Sequence, residues 1–594
     1  MQRDANSGKE SESQLPPGLK NFIYPLILIF AVASCYSVAI NFPFISYDNN
    51  EFIISNSLLG SWNWDNFIQI WRIGGVKEEN LYIPLTYVTY FIETAIYGIK
   101  PALMHFDNLL LHALNTLLVF YFARRIGLKP LSGFIASLAF ALHPLQVEPV
   151  VWCMGRKDLL STLFALICMH SYISYAERSQ FRWIALSVFA GTAAMLSKPV
   201  MIILPGILIF IEFFLIRKSE SNLLTDFKHF ISESAGRWQP TKEGNKTKER
   251  RFILSKAAVL LLSLSAVLTL FCNLSGPFRE HTTKTTFATS MCLITLLSGW
   301  IKRFFMLEPI EHFYRWPVDH TLLTNADSGI IILLFTVATI IYFAFIAEYN
   351  RKVVFGLLFF VTAFLPPLLH LRYTQDFITA DRYGYFPLIG IFISIAAFYD
   401  ISLKFRKKLF SLLLIIWFSA IFINNLYAVN SWSSDINFWS LEVKTKPDSI
   451  PDNYFLALAY QQKGDFGKAL PIYQKCINSD SNYNQKALIS TGSIFFEMKE
   501  YNKSLEYYKL ALNYNSEYLP LIYTNIAEVY LKQRDVKKAE QSLLQALKLD
   551  NSLADAHLRI SQIYRYMKKD KLADKHQKQA ERLGIKIHKE MSNH

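Results

Sequence analysis

Hydrophobic and polar positions are distributed in two regimes that meet near residue 430. Before that point, long apolar runs alternate with short polar breaks; after it, apolar positions return at helical spacing among polar ones, as in a soluble chain. A helix needs about 20 apolar residues to cross roughly 30 Å of hydrocarbon. The runs predict spans near 22–40, 104–123, 131–149, 157–176, 182–197, 199–216, 253–273, 327–347, 353–371, 384–401 and 409–428. The run 287–307 is broken by Lys302 and Arg303, each costing roughly 3 kcal/mol at the centre of an inserted helix.

Charge decides how that broken run is treated. Basic clusters stand at Arg124-Arg125 with Lys129, at Arg178 and Arg182, from Arg217-Lys218 to Arg250-Arg251, at Arg351-Lys352, and at Lys404-Arg406-Lys407-Lys408. All five fall on the cytoplasmic face if 287–307 lies in the outer interface without crossing. The expectation is an all-α chain of about eleven spans, its C-terminal part extracytoplasmic. Residues 1–20 form a cytoplasmic tail with no cleavable signal, 21–430 a membrane domain with a first outer loop at 41–103, and 431–594 a second domain. Trp62, Trp64 and Trp71 of that loop suit the membrane interface, a second outer loop covers 274–326, and 217–252 is a polar inner loop.

Composition agrees with a membrane protein. Hydrophobic residues make up 52% and charged residues 18%, too apolar for a soluble chain of 594 residues. The net charge of +14 belongs to the inner loops and does not imply a nucleic-acid partner. Six scattered cysteines show neither disulfide nor zinc spacing.

Beyond residue 450 the sequence repeats with a period of 34–35. Small residues recur at Ala469, Ser504, Ala539 and Ala573, each with a partner seven further on at Cys476, Ala511, Ala546 and Ala580. Upstream, Ala457, Gly492, Ala527 and Ser561 are each followed three residues later by Tyr460, Phe495, Tyr530 and Tyr564. Small residues that let paired helices touch, with aromatics between them, make a tetratricopeptide pattern of about four repeats. The solenoid so formed offers a concave face to an extended segment of a partner protein, or else braces the membrane part.

Polar groups near spans are costly and invite a functional reading. Four clusters fall at predicted outer ends. The first is Tyr47-Asp48-Asn49-Asn50-Glu51, and the second a stripe of His105, Asn108, His112 and Asn115 on one helical face. The third is HPLQVEPVVWCMGRKD, with His143, Glu148, Arg156, Lys157 and Asp158, and the fourth Asp381-Arg382-Tyr383-Gly384-Tyr385. Chemically, a first-loop carboxylate serves as general base, while Arg156, Lys157 and Arg382 hold a phosphate leaving group. The blander readings are a charged interfacial turn at 156–158 and interhelical hydrogen bonding by the stripe. No His/Cys/carboxylate spacing makes a transition-metal site.

The acidic pair after the first span, YIPLTYVTYF, the H-x-x-N-x-x-x-H stripe, HPLQVEPVVWCMGRKDLLSTLF, LSK, DRYGYFP and the terminal repeats resemble, in order, the TMTC family of transmembrane O-mannosyltransferases. The resemblance covers about 41–584. It implies a C-type glycosyltransferase fold, an inverting transfer of a mannose-like hexose from a polyprenyl-phosphate donor, and an extracytoplasmic Ser or Thr acceptor held by the repeats. It further implies a bacterial relative in an inner membrane, in contact with membrane lipids, and leaves room for a divalent cation. By resemblance Asp48 is the catalytic base, with Glu51 taking the second acidic role because Asn49 replaces the usual second acid. Arg156, Lys157 and Arg382 bind the donor phosphate, and His105, His112, His143, Glu148, Asp158 and Asp381 support them. Ile83 and Pro199 replace an Arg and an acid usual in the family. The competing expectations are a non-catalytic scaffold that recruits partners through its repeats, and a transferase acting on lipid or surface glycan.

Overall fold

The computed structural model describes residues 17–46, 50–76, 81–216, 246–274, 303–305, 311–312, 314–315, 351–370, 377–401, 404–479, 481–514 and 516–584. Asp48, most of the 217–252 loop, the 327–347 run and all of 287–307 except 303–305 lie outside them. The chain divides into two compact units, Met1–Ser434 and Asp435–His594.

The first unit is built of apolar helices. In chain order they are α1 (Pro17–Tyr36), α2 (Trp64–Ile70), α3 (Pro84–Tyr97), α4 (Pro101–Arg125), α5 (Pro130–Leu142), α6 (Val147–Val151), α7 (Arg156–Arg178), α8 (Phe181–Ser197) and α9 (Leu204–Ile211), then α10 (Lys246–Leu274), α11 (Arg351–His370), α12 (Leu388–Ile401) and α13 (Lys404–Ser431). Among the described residues six helical stretches are long and apolar enough to cross a membrane, or seven with one bent pair, and α8 and α12 are shorter apolar helices. Prolines open α3, α4 and α5, where a missing N–H is no loss. Apolar side chains left exposed, such as Leu260, Phe271, Ile415 and Ile423, ring α10 and α13 and suit a lipid surround.

The expected spans are not all single helices. The run 131–149 breaks at His143-Pro144, where α5 ends and a 3-10 turn (Pro144–Gln146) leads into α6 at 61° to it. A residue before proline is driven out of helical conformation, and His143 is extended (φ −65°, ψ 130°). The run 199–216 is a 3-10 turn (Pro199–Ile203), α9 and a π-helical turn (Glu212–Ile216) in series. Apart from the helices, β1 (Tyr314–Arg315) pairs antiparallel with β2 (Phe377–Thr379), which leads straight into the 381–385 cluster.

The second unit opens with α14 (Asp435–Thr445) and continues as four helix pairs: α15 (Ile450–Gln462) with α16 (Phe466–Ile477), α17 (Tyr483–Glu497) with α18 (Tyr501–Ala511), α19 (Leu519–Lys532) with α20 (Val536–Leu549), and α21 (Ala554–Tyr566) with α22 (Asp570–Arg582). Each small residue of the repeat pattern lies buried where paired helices meet. At Gly492 an added Cβ would stand 2.7 Å from the Tyr508 ring, so only glycine lets α17 and α18 close. Asp465 and Asp535 cap α16 and α20 by accepting the backbone N–H of Lys468 and Lys538 at 3.3 and 3.1 Å. Hydrogen bonds from the same lysine side chains hold both carboxyls below their usual range.

Candidate functional site

The stripe on α4 is a binding strip for neighbouring backbone. All four of its side chains are buried. Asn108 donates to the Trp152 carbonyl at 3.1 Å, and Asn115 donates to the Leu159 carbonyl at 2.9 Å. His112 Nε2 faces the Ala141 carbonyl at 3.2 Å, and its Nδ1 faces the Tyr385 hydroxyl at 2.8 Å. A carbonyl only accepts, so Nε2 carries the proton and Nδ1 accepts from Tyr385. Asn115 also donates to that hydroxyl at 3.2 Å, so three segments remote in sequence share one chain of bonds. His105 lies against Cys153 Sγ at 3.6 Å and beside the backbone carbonyls of Phe42, Pro43 and Val151. Those contacts bring the start of the first loop up to α4. His143 caps the broken turn by accepting from Leu145 N–H at 3.3 Å, and its ring stacks on Phe304 at 5.1 Å.

Around this strip stand four acid–base pairs, buried except for the partly exposed Arg382. Arg156 bonds Glu93 on α3, donates to Asn108 Oδ1 and the Met104 carbonyl at 3.0 Å each, and packs over the Tyr90 ring at 4.8 Å. Asp107 stands 4.0 Å away on its more open side. Lys198 bonds Asp158, and Arg303 donates to Asp381 at 3.3 Å. Glu148 accepts from both the backbone N–H of Arg382, at 2.8 Å, and its guanidinium. Charges buried at this depth persist only when paired and hydrogen-bonded.

Three cations converge on two aromatic faces. Lys157 and Arg382 lie 5.7 and 5.0 Å from the centre of the Trp152 ring, and Lys198 and Arg382 lie 5.3 and 5.4 Å from that of Tyr383. Lys198 feels the positive charge of both Lys157 and Arg382. Cations over ring faces gain attraction beyond that of their carboxylate partners, Asp158 for Lys198 and Glu148 for Arg382.

The expected site residues therefore separate. Lys157, Asp158, Glu148, Asp381 and Arg382 meet at this aromatic–cationic cluster. Arg156 is 2% exposed, committed to Glu93 and bonded to Asn108. His105, His112 and His143 join helices. Asp48 lies outside the described residues, and Glu51 is the second residue of a π-helical turn, Asn50–Ile54. Sequence reasoning assigned no role to Glu93, Lys198 or Arg303. Glu93 was legible as a single charge within YFIETAIYGI, and Lys198 stood unassigned inside LSK.

An apolar helical body with a buried charged cluster, followed by four tetratricopeptide pairs, defines an integral membrane protein carrying a repeat solenoid. Residues 85–233 match the family described as dolichyl-phosphate-mannose-protein mannosyltransferase, and 453–483 and 521–553 match the tetratricopeptide repeat. The chain resembles the TMTC proteins. It is 25% identical over 512 residues to human protein O-mannosyl-transferase TMTC4, covering 78% of this chain and 66% of that one. Against human protein O-mannosyl-transferase TMTC3 it is 22% identical over 551 residues, covering 87% and 59%. Against the human TMTC1 protein it is 24% identical, covering 61% and 44%. The chain thus spans two thirds or less of the length of these relatives.

Proposed function

We propose that the chain is a membrane glycosyltransferase that moves a mannose-like hexose from a polyprenyl-phosphate donor to a Ser or Thr of an extracytoplasmic protein. The observation that carries this reading is the convergence of Lys157, Lys198 and Arg382 on Trp152 and Tyr383 among the apolar helices of the first unit. Most of that cluster falls within the stretch resembling the mannosyltransferase family, and the relatives named above are described as protein O-mannosyl-transferases. A cluster of this kind suits a phosphate whose lipid tail lies among apolar helices.

In the proposed reaction, Asp48 takes the proton of the acceptor hydroxyl as the hydroxyl oxygen bonds to the anomeric carbon. The bond from that carbon to the phosphate oxygen breaks, and the electron pair leaves with the polyprenyl phosphate. Lys157, Lys198 and Arg382 stabilise the charge gathering there. Attack from the face opposite the leaving group inverts the anomeric configuration. Arg156 acts at one remove, by fixing α3 and α4 around the cluster, and Glu51 orients the acceptor or Asp48. The repeats hold the acceptor protein.

Transfer of labelled hexose from a polyprenyl-phosphate donor to acceptor protein, in membranes containing the chain, tests the reading. Asp48→Asn is expected to abolish transfer while expression and insertion persist. Full activity of that variant removes Asp48 from the chemistry. Arg382→Lys, which loses the two-pronged donor, is expected to lower kcat/KM by roughly 10–100-fold, matching the 1.5–3 kcal/mol of a charged hydrogen bond.

A further inference from the structure

The last helix pair of the solenoid holds two histidines outside the proposed chemistry. His557 on α21 is 4% exposed, and His576 on α22 is half-buried. Their Nδ1 atoms stand 2.9 Å apart, with ring centres 5.1 Å apart and planes tilted by 33°. His557 Nε2 lies 3.1 Å from the carbonyl oxygen of Asn551. The carbonyl can only accept, so His557 carries its proton on Nε2 and presents a bare lone pair at Nδ1. The short contact then requires His576 to carry its proton on Nδ1 and donate it to His557.

We propose that this imidazole pair is a proton-sensitive latch, in which one N–H···N bond fastens α22 to α21 near neutral pH and acidification loosens the terminal repeat. A first added proton goes to His576 Nε2 and creates a cation at a half-buried site. A second can go only to His557 Nδ1, where it removes the acceptor and sets two cations nitrogen to nitrogen. The surroundings offer little relief. Lys575 of α22 adds positive charge, and Asp574 of the same helix stands 3.8 Å from Arg565 of α21. Glu540 of α20 acts on the Tyr564 hydroxyl, whose ring lies 5.7 Å from His576 and carries Lys569 over its face. Asp550, ahead of α21, is bonded by Ser552.

Burial first, then the charges of His557 and Lys575, hold His576 below the usual imidazole range. A base depressed in the folded state contributes stability that is full above its unfolded value, near 6.5, and lost as pH falls below it. Acid therefore favours release of α22.

Hydrogen–deuterium exchange of the full chain in detergent, with EDTA present and pH stepped from 7.5 to 5.0, tests the latch. Protection in α21 and α22 is read relative to α17 and α18 of the same sample, which cancels the intrinsic pH dependence of exchange. The expected result is a several-fold loss of relative protection in α22 on acidification. His576→Gln, whose amide can still donate to His557 and cannot become a cation, should lose clearly less of that protection on acidification. Lys575→Gln, altering an exposed side chain, should shrink the loss. Unchanged protection in the unaltered chain, or an equal loss in His576→Gln, overturns the proposal. Should His576→Gln not fold, an equal loss in Lys575→Gln counts against it.

Discussion

Arg156 illustrates how a single residue divides between chemistry and architecture. Its guanidinium is enclosed by Glu93, Asn108, the Met104 carbonyl and the Tyr90 ring. Removing one partner of such a pair leaves a buried charge uncompensated, which costs about 3–5 kcal/mol. Glu93→Ala is therefore expected to lower the thermal midpoint of the membrane unit in detergent by several degrees. Glu148→Ala should have a comparable effect through Arg382. A Glu93→Ala protein with an unchanged midpoint would mean that Asp107, 4.0 Å away, takes over the charge. That charged residues matter in this region was legible in the sequence, because ionisable groups in apolar surroundings rarely lack a partner. Which acid meets which base was not. Glu93 and Arg156 lie 63 positions apart, and Glu148 and Arg382 lie 234 apart, so the pairing emerges only when helices pack.

At the scale of elements, the apolar runs located helices well where one run makes one helix. Residues 157–176 and 182–197 became Arg156–Arg178 and Phe181–Ser197, and 353–371 became Arg351–His370. The repeats were equally legible, because a 35-residue period writes the same small and aromatic contacts four times. At 131–149 the apolar run holds a bend that length alone does not show. There the local signal, His143-Pro144, outweighs apolarity, and a break could have been read from the dipeptide. Helix proximity was less legible still. An added Cβ at Gly390 would meet the Gly356 carbonyl oxygen at 2.3 Å, and one at Gly356 would meet that of Gly390 at the same distance. The two glycines let α11 and α12 touch backbone to backbone, as small residues do in membranes. Gly390→Ala should therefore destabilise the unit by about 1–3 kcal/mol through overpacking. Gly206→Ala, where nothing lies within 4 Å of the added carbon, should be neutral or better by thermal unfolding in detergent.

For the whole molecule, the open quantity is sidedness. The basic clusters predict that Asp48, the Lys157–Arg382 cluster and the repeats face the extracytoplasmic side together. A cysteine placed at exposed Gln545 is expected to react with a reagent that cannot cross the membrane, added to intact cells. Protection of that cysteine, with reaction only after permeabilisation, would place the repeats inside and remove the shared face that the proposed transfer requires. The bend between α5 and α6 enters here as a matter of parity. A bent pair that crosses adds one passage; a pair that dips and returns adds none, and every residue after Val151 then changes sides. Lys129 precedes the pair, and Gln180 follows α7; with α7 long enough to cross, the two stand on one face only if the pair crosses as well. Cysteines at these exposed positions are expected to label from the same side. The 61° turn at His143 thus holds one bit of information for the more than four hundred residues that follow it.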